Sequence, residues 1–173
     1  MSDPTKPTKQ EAAALRQIPQ MTDPKALRTL MSNANAKGSA AVYNAAFRRL
    51  AELVPGEAPG TLEHDFWQTT LAYEQLLTEM NGKTTRANYL RRKVARVGVL
   101  QTMEDLALAK GQSDGFALLV ERGLPELTAE AIILKHSKSF SEAAVNASRK
   151  RLEELQFNVF AVEGRDEQGG HNG

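Results

Sequence analysis

The 173-residue chain contains no cysteine, which excludes disulfides, thiolate metal sites and thiol catalysis. β-Branched aliphatic residues are also scarce. Nine valines and three isoleucines stand against 24 alanines and 20 leucines, a balance that suits helices better than a pleated surface. No apolar run approaches the roughly 18 residues of a membrane span. The opening Met1-Ser-Asp-Pro-Thr-Lys-Pro-Thr-Lys is polar with no apolar stretch behind it, so neither a span nor a signal peptide is expected and the reading is a cytoplasmic protein. Neither sign of charge dominates. With 22 Lys and Arg against 21 Asp and Glu, the net charge is +1, which fits neither an acidic disordered chain nor a uniformly basic, histone-like one.

Motifs with catalytic meaning are missing as well. The chain has no Gly-x-Ser-x-Gly, no Gly-x-x-x-x-Gly-Lys-Ser/Thr and no Gly-x-Gly-x-x-Gly. Of three histidines, only His64 is flanked by acids, in Glu63-His64-Asp65. The residues three and four away are Gly60, Thr61, Trp67 and Gln68, so no metal-binding face forms there. His136 reads as a cation at a helix end, and the Glu63 and Asp65 carboxylates as acids at a helix start. Asp65 and Glu74 have no partner that spacing can name. The reading leans away from catalysis and expects neither cofactor nor metal.

What is present is punctuation at helix-sized intervals. Thr8 with Glu11 forms a capping box, Asp23-Pro24 opens a helix that stops before Gly38, and a third helix runs from Ser39 to Val54. Pro55 to Gly60 is a break. The longest helix spans Thr61 to Asn81, with Leu62, Phe66, Tyr73, Leu77 and Met80 expected on one side. A fifth runs from Thr85 to Val97 and is closed by Gly98, and a sixth runs from Leu100 to Lys110. Ser113, Thr128 and Ser141 cap three more, while Phe157 to Val162 alternates as a terminal strand would. The expected fold is all-α, a single multi-helix bundle of eight or nine helices over residues 10–162, with disordered tails at 1–9 and 163–173.

The charges are segregated along this frame. From Glu52 to Glu79 there are six acids and no base; from Lys83 to Arg96 there are six bases and no acid. On a helix, Ala87, Leu90, Val94 and Val97 share an arc that faces the core. The opposite side carries Arg86, Lys93, Arg96 and Arg92 around Tyr89. Guanidinium groups bind phosphate bidentately, and an aromatic ring can stack on a base. The helix start, Lys83-Thr84-Thr85-Arg86, adds hydroxyls and backbone N–H groups suited to an anion. Arg149-Lys150-Arg151 offers a second cluster that widens the footprint if it packs nearby. The segment from Arg86 to Lys110 has the outline of a helix-turn-helix, but Val94, Glu104 and Asp105 stand where such a motif wants small, buried and non-acidic residues.

The expected function is therefore non-enzymatic binding of nucleic acid, DNA rather than RNA, through the phosphate backbone, by Lys83, Thr84, Thr85, Arg86, Tyr89, Arg92, Lys93 and Arg96. The alternative is a helical adaptor whose basic face meets an acidic protein partner or a second copy of the chain. No membrane partner is expected. Neutralisation of the arginines by the chain's own acidic helices would undo the first reading.

Overall fold

Thr8 opens the first helix as its capping box requires: its hydroxyl accepts the Glu11 N–H at 3.2 Å, and the Glu11 carboxylate accepts the Thr8 N–H at 2.7 Å. That helix, α1 (Lys9–Gln17), is followed by a one-turn 3-10 segment, Ile18–Gln20, and by α2 (Pro24–Ala36) and α3 (Ala40–Leu53). The computed structural model of the chain describes residues 6–53 and 56–156. The expected strand over Phe157 to Val162 lies outside the described residues.

The helices belong to two compact units, Met1–Pro55 and Gly56–Gly173, divided at the break marked by proline and glycine. In the first, α2 packs on α3. Pro24 takes the first helical position, where its missing N–H costs nothing. Leu27, Met31, Val42, Ala46, Phe47 and Leu50 are buried at the spacings expected of amphipathic helices. The Arg49 guanidinium ties α3 to the connection before α2, donating to the Met21 carbonyl at 3.0 Å.

The second unit holds α4 (Leu62–Asn81), α5 (Asn88–Leu108), α6 (Asp114–Glu121), α7 (Ala129–Lys135) and α8 (Glu142–Glu153). Every described residue in a regular element is helical, so the all-α expectation holds. Thr61, Ser113, Thr128 and Ser141 each accept an N–H of the first turn they cap. Ile132, Ile133 and Leu134 are buried in a helix behind Thr128. Leu134 packs with Phe116, Ala131 and Leu152, whereas Ile132 and Ile133 share a core with Phe66, Met103 and Ala144, with Leu90, Val94, Phe140 and Val145 packed against it. Phe140 and Val145 thus share one core on either side of the Ser141 cap, as a hydrophobic staple should.

Two apolar assignments are corrected. Met80, expected inward, is 60% exposed because α4 overruns the core at its last turn. Val97 is 39% exposed: the next residue, Gly98, breaks the helical path with φ 84° and ψ 169°, so the inward arc ends at Val94. The expected fifth and sixth helices are the two halves of α5 on either side of Gly98. Among the described residues, no helix is long and apolar enough to cross a membrane.

Candidate nucleic-acid interface

The basic segment begins where α4 ends. Gly82 takes the left-handed conformation, φ 66° and ψ 11°, that closes a helix at low cost. Residues 83–87 then run back along α4 outside any helix. Hydrogen bonds from Thr85 and Ala87 meet Thr78 and Glu74, one turn apart on α4. The Thr85 N–H donates to Thr78 Oγ1 at 2.9 Å, and the Ala87 N–H donates to Glu74 Oε1 at 2.8 Å. Asn81 Nδ2 donates to Thr85 Oγ1 at 3.1 Å, and that hydroxyl donates to the Lys83 carbonyl at 2.9 Å.

This strapping corrects the expected helix start. The helix opens at Asn88, three residues later than Thr85, so Lys83, Thr84, Thr85 and Arg86 precede it. The N–H groups thought free for a phosphate are partly committed, and the anion at this helix start is the protein's own Glu74. Its carboxylate also receives Arg91 in a bidentate pair, from Nε at 2.6 Å and Nη2 at 2.7 Å. The Arg91 guanidinium lies 5.1 Å from the centroid of the Trp67 ring. Charge, fork geometry and an aromatic face hold it in place, and its pKa is raised, chiefly by the hydrogen bonds to Glu74.

Lys93 is the second correction. Its ammonium lies 2.8 Å from Asp105, across the Gly98 break, so it is an internal partner rather than an open cation. The Lys93 hydrogen bond is the main reason the Asp105 carboxyl is lowered, with Gln101 and the more distant charge of Arg96 adding to it. The remaining members differ. Lys83, Thr84, Arg86, Tyr89, Arg92 and Arg96 are exposed, Tyr89 at 71%. Among the described residues no ion pair engages Lys83, Arg86, Arg92 or Arg96. Tyr89, Arg92 and Arg96 recur three and four residues apart and so share one side of α5. No family model, curated protein or solved structure matches this chain.

The second basic cluster disperses. Arg151 turns inward, donating to Glu130 Oε1 at 2.9 Å and to the carbonyls of Leu106 at 3.2 Å and Ala109 at 2.7 Å. Burial raises the pKa of Glu130, and the Arg151 hydrogen bond and charge oppose that rise. Arg149 donates to Asn146. Of the three, Lys150 alone is exposed.

A buried cluster went unseen in the sequence. Asp65 Oδ2 accepts Lys135 Nζ at 2.6 Å and lies 2.7 Å from His136 Nε2, while Oδ1 lies 3.3 Å from His64 Nδ1. Burial alone would raise the Asp65 pKa, but the bonds from His136, Lys135 and His64 outweigh it and bring it to about 2. An ionised carboxylate only accepts, so both imidazole nitrogens facing it carry hydrogen. The cluster pins the start of α4 to the end of α7. His136, expected only at a helix end, is thus a partner of Asp65. Its partner lies 71 residues away, beyond any local spacing rule.

Proposed function

We propose that the protein binds nucleic acid, DNA in the first instance, through the phosphate backbone, without catalysis. The reading is carried by the open face of α5. Tyr89 stands in solvent with Arg92 and Arg96 on its side of the helix, and Arg86 and Lys83 are exposed on the segment just before it. Glu74 and Asp105 take up Arg91 and Lys93, so the internal carboxylates are spent on the inner cations while the outer ones stay open. Exposed guanidinium groups cost little to desolvate and suit phosphate oxygens. A solvent-facing phenol supplies a donor or a stacking surface for a base.

Contacts of this kind position a duplex without reading its sequence. The test is anisotropy of a labelled duplex with the wild-type chain and with the double variant Arg92→Glu, Arg96→Glu. Charge reversal is expected to weaken binding to unrelated sequences alike. Absence of binding at low salt, together with a mass that rises with concentration in light scattering, would overturn the reading in favour of contact with an acidic protein surface.

A further inference from the structure

Arg86, Tyr89 and Lys93 also line a cavity of about 670 Å³ between α4, the start of α5 and the start of α6. That size falls within the roughly 300–1,000 Å³ of small-ligand sites. Its buried lining, including Ala87, Phe116 and Leu119, is apolar. Thr70 is buried there too, but its hydroxyl already donates to the Phe66 carbonyl. The exposed lining carries charges of both signs, Arg86 and Asp114. Tyr73 supplies a half-buried ring from α4. A Cβ placed on Gly115 would touch that ring at 3.6 Å, so the absence of a side chain there keeps the space beside the ring open. Because Lys93 is held by Asp105, Arg86 is the cation left for a ligand.

Apolar walls with two phenol rings ask for a flat, largely apolar body. Arg86 asks for an anion, and Asp114, acceptor-only when ionised, asks for hydrogen-bond donors. An acyl chain supplies no donors, and inorganic phosphate leaves the apolar floor uncovered. A nucleotide supplies all three features, and guanine presents its N1–H and N2–H groups side by side to match two carboxylate oxygens.

We propose that this cavity takes one nucleotide unit, guanine preferred, with the base against Tyr73 and Tyr89, its donor edge on Asp114 and its phosphate on Arg86. The unit comes either from a strand, as an unstacked residue, or from solution as a free nucleoside monophosphate. The proposal rests on the phosphate-binding reading for Arg86 and on the cavity itself for the base.

Calorimetric titration of the full chain with GMP, AMP, CMP and inorganic phosphate tests it, alongside competition of GMP against a short fluorescent single strand containing guanine. GMP is expected to bind about tenfold more tightly than CMP. Asp114→Asn, at an exposed position, should erase that preference, and Gly115→Leu should weaken GMP about tenfold or more by occupying the space. Circular dichroism checks that each variant folds, and Asp114→Asn keeps the test decisive if the leucine variant does not. No heat with GMP, equal competition by inorganic phosphate, or a guanine preference that survives in Asp114→Asn overturns the proposal. Strand binding without GMP binding overturns the cavity assignment and leaves the backbone reading standing. GMP binding without strand binding does the reverse. Displacement of the strand by GMP identifies a strand residue as the source, and binding of both without competition identifies the free nucleotide.

Discussion

Arg91 and Arg92 are neighbours in sequence, yet Glu74 and Trp67 hold the first while the second stands in solvent. Arg91→Ala strips a buried carboxylate of its partner, and because Arg91 is itself partly exposed the expected loss is about 2–4 kcal/mol. Arg92→Glu should leave stability within about 0.5 kcal/mol while weakening polyanion binding. Chemical denaturation beside a binding titration checks the pair; a binding loss in Arg91→Ala with unchanged stability would reverse the two roles. Asp65 gives the pH dependence. Its folded pKa of about 2 lies below its ordinary value of 3.8, so its contribution is fully present above that ordinary value. The contribution is lost as pH falls toward and through about 2. The shift corresponds to about 2 kcal/mol. Asp65→Asn should lose about that much at neutral pH and show a flatter decline in stability with acid. A denaturation midpoint that matches wild type from neutral pH to acid would contradict this assignment.

At the scale of elements, α5 depends on Gly98. A φ of 84° with ψ of 169° belongs to a region open essentially to glycine alone, and nothing lies within 4 Å of where its Cβ would stand. Gly98→Ala is therefore expected to cost about 1–3 kcal/mol through the backbone rather than through packing. A midpoint equal to wild type in thermal unfolding would show that the break relaxes freely. The Lys93–Asp105 pair spans this break, so the same glycine decides which cations face outward. The helix starts were legible because a capping side chain and the N–H it accepts lie within three residues of each other, as at Thr8, Ser113 and Ser141. The start of α5 was misplaced because its cap is Glu74, which reaches Ala87 from 13 residues upstream. Sequence periodicity treats Thr85 and Arg86 as helical, whereas the Thr85 and Ala87 N–H groups donate to Thr78 and Glu74 and hold that stretch out of the helix.

At the scale of the whole molecule, the +1 net charge conceals how the charges are used. Segregation along the chain was visible, and so were the exposed positions of Tyr89, Arg92 and Arg96. The distribution of carboxylates among the cations was not, because Glu74, Asp105 and Glu130 find their partners through tertiary packing. The cavity beside the basic face was equally hidden, since α4, α5 and α6 each contribute residues that look ordinary in isolation. Four cations, Lys83, Arg86, Arg92 and Arg96, enter no ion pair among the described residues, and the proposed interface rests on them. The most direct measurement is the affinity for a labelled duplex across a series of salt concentrations. Four neutralised phosphates predict that log affinity falls with log salt at a slope of about −3.6. A slope near zero, or no binding even at the lowest salt, would contradict the account.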